Sequence, residues 1–260
     1  RGFLYSHTRL VKQIYFVSPF CIRRSKREFR NGMGNTTQRN QQQEDVPWAW
    51  MKRIQDLTND PSVQAANAAH TIRVVSLPVE ILPWLLLSDE KNARNITKLK
   101  ALGVTHVLSV NGTTAYEEER IRESLESAGI VHRRIAGEDR EGYDMLGEHW
   151  DDCRAFIENS RERNEAAKVL VHCVAGINRS GLIACAAHMS FEQETLLNAV
   201  EHCMRRRGAV LWNHSFQKQL CLLAAEEGLL GTKPAGYNDD PILEVGTARP
   251  PAHEALAKLF

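Results

Sequence analysis

Two hydrophobic periods alternate along the middle of this chain. Short aliphatic or β-branched runs at 72–77, 81–87, 105–110, 130–135 and 168–172 predict strands. Between and after them, apolar positions spaced by three and four predict helices at 95–102, 116–128, 146–163, 182–189, 192–207 and 216–227. Gly103 and Gly129 stop the first two helices, and Asn213 is placed to cap the last. The strand at 168–172 has an unbroken apolar centre, Val169-Leu170-Val171, as a strand buried on both faces requires. Strands alternating with helices predict an α/β fold, a sheet covered by helices on both faces. No internal repeat is present.

Proline separates this body from its flanks. Pro19, Pro47, Pro61, Pro78 and Pro83 precede residue 84, Pro234, Pro241, Pro250 and Pro251 follow residue 233, and none lies between. The resulting expectation is a mostly disordered, basic segment over 1–69, a folded domain over 70–232 and a flexible, proline-containing tail over 233–260.

Composition changes the picture in two places. The 260 residues carry 33 Lys and Arg against 32 Asp and Glu, yet residues 1–43 hold nine of the bases and a single acid, Glu28. The remainder holds 24 bases against 31 acids, so the folded part is net negative. Two readings of the basic leader stay open, an organelle transit peptide and a disordered or spurious leader. The longest apolar run, 81–87, is far short of the roughly 20 residues a membrane-spanning helix needs. Six cysteines without regular spacing, in a chain of this length, read as reduced thiols in a reducing compartment. The expected location is therefore cytoplasmic, or an organelle if the leader is a transit peptide.

The chemistry concentrates in one segment, His172-Cys173-Val174-Ala175-Gly176-Ile177-Asn178-Arg179-Ser180. A buried strand delivers Cys173 at its C-terminal end, a glycine-bearing loop follows, and a helix begins. Backbone N–H groups of Val174, Ala175, Gly176, Ile177, Asn178 and Arg179 can then surround an oxyanion beside the positive end of the helix. Gly176 permits the turn, and the Arg179 guanidinium can grip two phosphate oxygens at once. The same field favours the thiolate form of Cys173, a nucleophile aimed at phosphorus. Ser180 can donate a hydrogen bond to that thiolate and assist its later departure. A second Cys with Arg six residues on, Cys21 to Arg27, lacks the preceding His, the glycine, the following Ser and the strand.

This complete pattern, with Gly at the third, Arg at the sixth and Ser at the seventh position after Cys, resembles the signature of the cysteine-dependent protein tyrosine phosphatases. Residues 72–230 are similar to their dual-specificity branch, through Leu85-Leu86-Leu87-Ser88-Asp89-Glu90, the stretch 102–110, and Asn213, Phe216, Gln219 and Leu220. Ser109 stands where that branch usually has Asn, and Gly208 where it often has Pro. The resemblance implies a central mixed, mainly parallel sheet, and a shallow pocket that takes phosphoserine and phosphothreonine as well as phosphotyrosine. It implies Cys173 as nucleophile, Arg179 and the loop amides as phosphate ligands, and Ser180 as the thiolate's partner. No metal or organic cofactor is expected, because no His, Cys and carboxylate cluster has ligand spacing. The general acid is implied on a loop four residues beyond an apolar strand residue, which is Ile135 plus four, Asp139. Glu138, Glu141 and above all Asp144 compete for the part.

His172 has two readings, orienting the loop through buried carbonyls or a satisfied core histidine. Arg205-Arg206-Arg207 reads as a cationic helix C-terminus rather than a substrate patch. Cys153, Cys185, Cys203 and Cys221 read as core, with a disulfide from one of them to Cys173 left open. A phosphoprotein is the expected partner, with no nucleic acid and no membrane span; oligomeric state is open. Rival readings are a phosphate-binding pseudophosphatase, a phosphatase of phosphoinositide, RNA 5′-triphosphate or glucan, and a sulfur transferase.

Overall fold

The computed structural model describes residues 46–59, 77–112 and 115–242. These fall within the unit Asn40–Phe260. The basic leader 1–43, Cys21, most of the strand expected at 72–77 and the tail beyond 242 lie outside them.

In chain order the elements are α1 Trp48–Asn59, β1 Val79–Leu82, β2 Leu85–Asp89, α2 Glu90–Ala93, α3 Ile96–Ala101, β3 His106–Ser109 and α4 Ala115–Ser127. They continue with β4 Val131–Arg134, α5 Met145–Arg163, β5 Val169–Cys173, α6 Arg179–Glu192, α7 Leu196–Arg207 and α8 His214–Glu227. The five strands form one sheet in the order β1-β2-β5-β3-β4, in which only β1 runs antiparallel. The mixed, mainly parallel sheet of the sequence reading is therefore present.

Strand alternation sorts side chains onto two cores. Leu86, Val107 and Leu170 face α2 to α4, where they meet Ala93, Leu99, Leu125 and Ile130. Leu85, Leu87, Leu108, Val169 and Val171 face the larger core with α1 and α5 to α8. Burying each such aliphatic side chain contributes about 1.5–3 kcal/mol. Helix α6 runs through this larger core, with every residue from Arg179 to Ser190 buried. Its N-terminus is thus fixed at the end of β5, the most central strand.

Three expectations are corrected. The apolar run 81–87 is not one strand but parts of two, reversed at Pro83-Trp84 with Leu82 opposite Leu85. Pro83 is exposed and has no N–H to give to a ladder, which suits it to the turn. The folded domain does not start at 70, because α1 buries Trp48, Met51, Ile54 and Thr58 on one stripe against the core. Nor does the packed chain end at 232. Ala49 N–H donates to Asp239, the Trp50 indole to the Leu230 carbonyl and the Tyr237 hydroxyl to Asp56, which fastens residues 230–239 along α1.

Candidate active site

The segment after β5 is shaped by what holds its carbonyls. The Val174 carbonyl accepts from Glu90 N–H at 3.2 Å and the Ile177 carbonyl from Leu211 N–H at 3.2 Å. Between them, Arg207 Nη2 donates to the Ala175 carbonyl and Nε to the Gly176 carbonyl, both at 3.1 Å. In a trans peptide the N–H points opposite to the C=O. Anchoring four successive carbonyls from outside therefore turns the N–H groups of Ala175, Gly176, Ile177 and Asn178 to the other side, as an anion cradle requires. The side chains of Ala175 and Ile177 lean away with Ala209 and Trp212, while Val174 is exposed at the rim.

Gly176 is required at its place. Its φ is +67°, and a Cβ there would lie 2.7 Å from the Ser88 carbonyl oxygen and 3.0 Å from Asp89 N. Both are backbone atoms of β2 and its end, and neither can move aside cheaply.

Cys173 closes β5 and is 1% exposed. Ser180 Oγ donates to its sulfur at 3.1 Å. Arg179, the first residue of α6, is held by a bond from Nη1 to the Gly137 carbonyl at 3.2 Å, and its Nε lies 3.9 Å from Asp139. The loop 136–144 thereby reaches the cradle. Asp139 accepts from Asn178 Nδ2 at 3.2 and 3.3 Å and from Asn213 Nδ2 at 3.4 Å.

The other three carboxylates of that loop are occupied elsewhere. Asp144 caps α5 through Gly147 N–H at 3.0 Å. Glu141 accepts from His214 and Ser215 N–H in the first turn of α8, an arrangement the helix dipole favours. Glu138 pairs with Arg140 at the surface. Gln219 ties down the far end of the loop, donating to the Tyr143 carbonyl and accepting from Leu146 N–H.

His172 is buried, and loss of hydration pushes its imidazole down to about 4, so it is neutral at physiological pH. Its Nδ1 lies 3.4 Å from the Cys173 carbonyl, as the loop-orienting reading requires. Its Nε2 lies 2.6 Å from Ser109 Oγ, which also meets His132 Nε2 at 2.9 Å. Ser109, one of the two departures from the resembled pattern, thus partners this histidine.

Sequence reasoning missed one site residue, Arg207, and the side-chain role of another, Asn178. Arg207 is neither helix-dipole complement nor substrate patch: it turns back and is buried against the loop carbonyls, with Asp89 offsetting part of the burial that lowers its guanidinium. Asn178 was read only as a backbone donor, yet its side chain accepts from Trp212 and Asn213 N–H while donating to Asp139. It joins all three loops that meet at Cys173.

The remaining described cysteines are free and buried. Burial pushes the Cys153 thiol up to about 12 and Cys221 higher still, so both behave as core. Cys185 on α6 is raised by its hydrogen bond to Cys203 on α7. Among the described residues, no three His, Cys, Asp or Glu side chains are grouped to hold a metal ion.

Comparison with known proteins agrees with this geometry. The family model "Dual specificity phosphatase, catalytic domain" matches residues 85–226. Dual specificity protein phosphatase 26 of Rattus norvegicus is 31% identical over 144 residues, which are 55% of this chain and 65% of that protein. A Protein phosphatase Slingshot homolog of Xenopus laevis is 31% identical over 154 residues, 59% of this chain but 20% of the relative. The match thus spans less than two thirds of either relative. Human DUSP28 shares the fold at TM-score 0.51 and 22% identity, over 59% of this chain and 97% of its own. The human tyrosine phosphatase-like serine/threonine/tyrosine-interacting protein does so at TM-score 0.50 and 24% identity, over 57% and 96%. With a matching family model across 85–226 and the cysteine loop at its centre, the chain belongs to the dual specificity phosphatase family.

Proposed function

We propose that this protein hydrolyses phosphotyrosine and phosphoserine or phosphothreonine in phosphoproteins through a phosphocysteine intermediate. The observation that carries this is the outward anchoring of four successive loop carbonyls around Cys173, which leaves a ring of N–H groups and Arg179 for one phosphate. The Cys173 sulfur attacks phosphorus and the P–O ester bond breaks. Arg179 and the loop N–H groups stabilise the equatorial oxygens, and Asp139 gives its proton to the departing oxygen. Water, deprotonated by the same carboxylate, then attacks the phosphocysteine. The S–P bond breaks, Ser180 hydrogen-bonds the returning thiolate, and inorganic phosphate leaves. A reducing compartment is the proposed site of action, on the ground that six cysteines without regular spacing in a chain of this length read as reduced thiols.

Charge supports a protein rather than a lipid substrate. The stretch 138–144 beside the site holds four acids and one base, so a polyanionic headgroup is repelled and neutral or basic flanks are favoured. Among the described residues no helix is long and apolar enough to cross a membrane. Phosphopeptides, inositol lipids, a 5′-triphosphate RNA and phosphorylated glucan assayed side by side test the substrate class. Phosphopeptides with neutral or basic flanks are expected to show the highest kcat/KM. If tri-phosphorylated inositol lipids outpace every phosphopeptide at equal concentration, the substrate reading fails.

Arg207 offers a test of preorganisation. Arg207→Ala strips donors from two buried carbonyls, a loss of about 1.5–3 kcal/mol, and is expected to lower kcat/KM roughly tenfold to a hundredfold. Arg207→Lys supplies a single ammonium in place of a fork, so it should recover only part. Equal activity of wild type and Arg207→Ala on an aryl phosphate would show that the loop holds its shape unaided.

A further inference from the structure

A buried polar line runs from α1, outside the family-matched residues, to the phosphate loop. Its inner end is the Ile177 carbonyl, which accepts from Leu211 N–H at 3.2 Å. Leu211 has a φ of +57°, a left-handed conformation that costs a leucine energy and is kept only where its surroundings impose it. The surroundings here are specific. The Leu211 carbonyl accepts from Gln217 Nε2 at 2.7 Å, and the same amide nitrogen donates to Thr58 Oγ1 at 3.3 Å. Thr58 spends its own proton on the Gln55 carbonyl at 3.0 Å, so its oxygen can only accept from Gln217.

Both side chains are out of reach of water, Gln217 wholly buried and Thr58 at 2% exposure. A carbonyl on one side and an acceptor hydroxyl on the other oblige the amide NH2 to face inward. Gln217 Oε1 is then left without a hydrogen-bond partner among the described residues. A buried amide with one unpaired atom is costly, and what this amide retains is its pair of donors. Four residues on, Cys221 is an apolar core residue of the same helix face, so nothing in the pattern of α8 calls for a polar group at 217.

We infer that α1 sets the conformation of the phosphate loop through Thr58, Gln217 and Leu211. Thr58 and Gln217 are positioning residues for anion binding, and α1 is the brace. Its outer side is fastened by residues 230–239 through Trp50, Ala49 and Tyr237, so the polar line ends on a helix held from both sides. Without the line, Leu211 is free to leave its left-handed conformation. Ile177 then loses its outside anchor, and the Asn178 N–H is no longer aimed into the cradle. This inference rests on the reading of that loop as a phosphate site.

The test uses the full chain and inorganic tungstate, whose binding, followed by calorimetry, does not depend on turnover. Thr58→Val is close to isosteric and removes the hydroxyl, both the acceptor for Gln217 and the donor to the Gln55 carbonyl. It is expected to weaken tungstate affinity about three- to tenfold and to lower kcat/KM in parallel, while Thr58→Ser, which keeps the hydroxyl, restores both. Gln217→Met removes both donors and should lose more. Adding Thr58→Val to Gln217→Met should then cost nothing further in affinity, since the bond is already gone. The inference is overturned if Thr58→Val lowers only the melting temperature and leaves tungstate affinity at the wild-type value. It is equally overturned if the two losses add. Wild-type protein that binds tungstate yet turns over no phosphate ester would refute the proposed catalysis, and the comparison of variants would still decide the role of α1.

Discussion

Replacing Cys173 with serine is expected to lower turnover by at least about 10⁴-fold and to leave tungstate binding within a few-fold of wild type. The magnitude follows from removing the nucleophile of a catalytic unit whose members act together. A serine hydroxyl fits a site where the thiol is 1% exposed and already hydrogen-bonded by Ser180, so the cradle should survive intact. At Arg179 the expectation is different, because the guanidinium is itself part of the cradle and is held in place by the Gly137 carbonyl. Arg179→Ala should lose tungstate binding and about 10²–10³-fold in rate, as for loss of a donor to developing charge. Arg179→Lys should recover little, since an ammonium cannot make the planar, two-pronged contact. Rates on an aryl phosphate and tungstate titrations of the three variants separate binding from chemistry. A Cys173→Ser protein retaining even a hundredth of wild-type turnover would sink the mechanism.

What the sequence discloses about this site depends on how far each interaction reaches along the chain. Cys173, Gly176, Arg179 and Ser180 are neighbours in one strand-loop-helix unit, so their spacing alone reveals the cradle. Asp139 is 39 residues from Asn178, yet it can be found by counting from the end of a strand. Arg207 cannot. Its reach back to Gly176 spans 31 residues and depends on the length of α7 and on the reversal at Gly208, neither of which leaves a local signature. The same holds for α1. Trp48, Met51, Ile54 and Thr58 form a stripe on a helix of only 12 residues between Pro47 and Pro61, and the surface they pack against belongs to α7 and α8. The run 81–87 was misread for another reason. A continuous apolar stretch has no period from which to see a reversal, so only the register of Leu82 with Leu85 exposes the hairpin.

The identity of the general acid is where sequence and structure together narrow the choice most. Sequence left four carboxylates; the structure gives Asp144, Glu141 and Glu138 other partners and turns only Asp139 to Asn178, Asn213 and Arg179. The Asn178 and Asn213 amides donate to this carboxyl and the Arg179 guanidinium lies 3.9 Å away, which suits it to hand a proton to a group bound in the cradle. A positioned acid contributes typically 10²–10⁴-fold, but only where the departing oxygen needs the proton. Asp139→Asn is therefore expected to slow hydrolysis of phosphoserine peptide by about 10²-fold or more, and of an aryl phosphate with an acidic phenol by far less. Asp144→Asn serves as the control with a different signature. Asparagine caps a helix nearly as well as aspartate, so the variant should keep both rates, whereas Asp144→Ala should lose about 0.5–2 kcal/mol of stability with the same leaving-group dependence as wild type. Steady-state rates on the two ester classes from pH 5 to 8, beside denaturant unfolding, distinguish these roles. A leaving-group effect that appears in Asp144→Asn and not in Asp139→Asn would move the acid to Asp144 and leave Asp139 as a strut between Asn178 and Asn213.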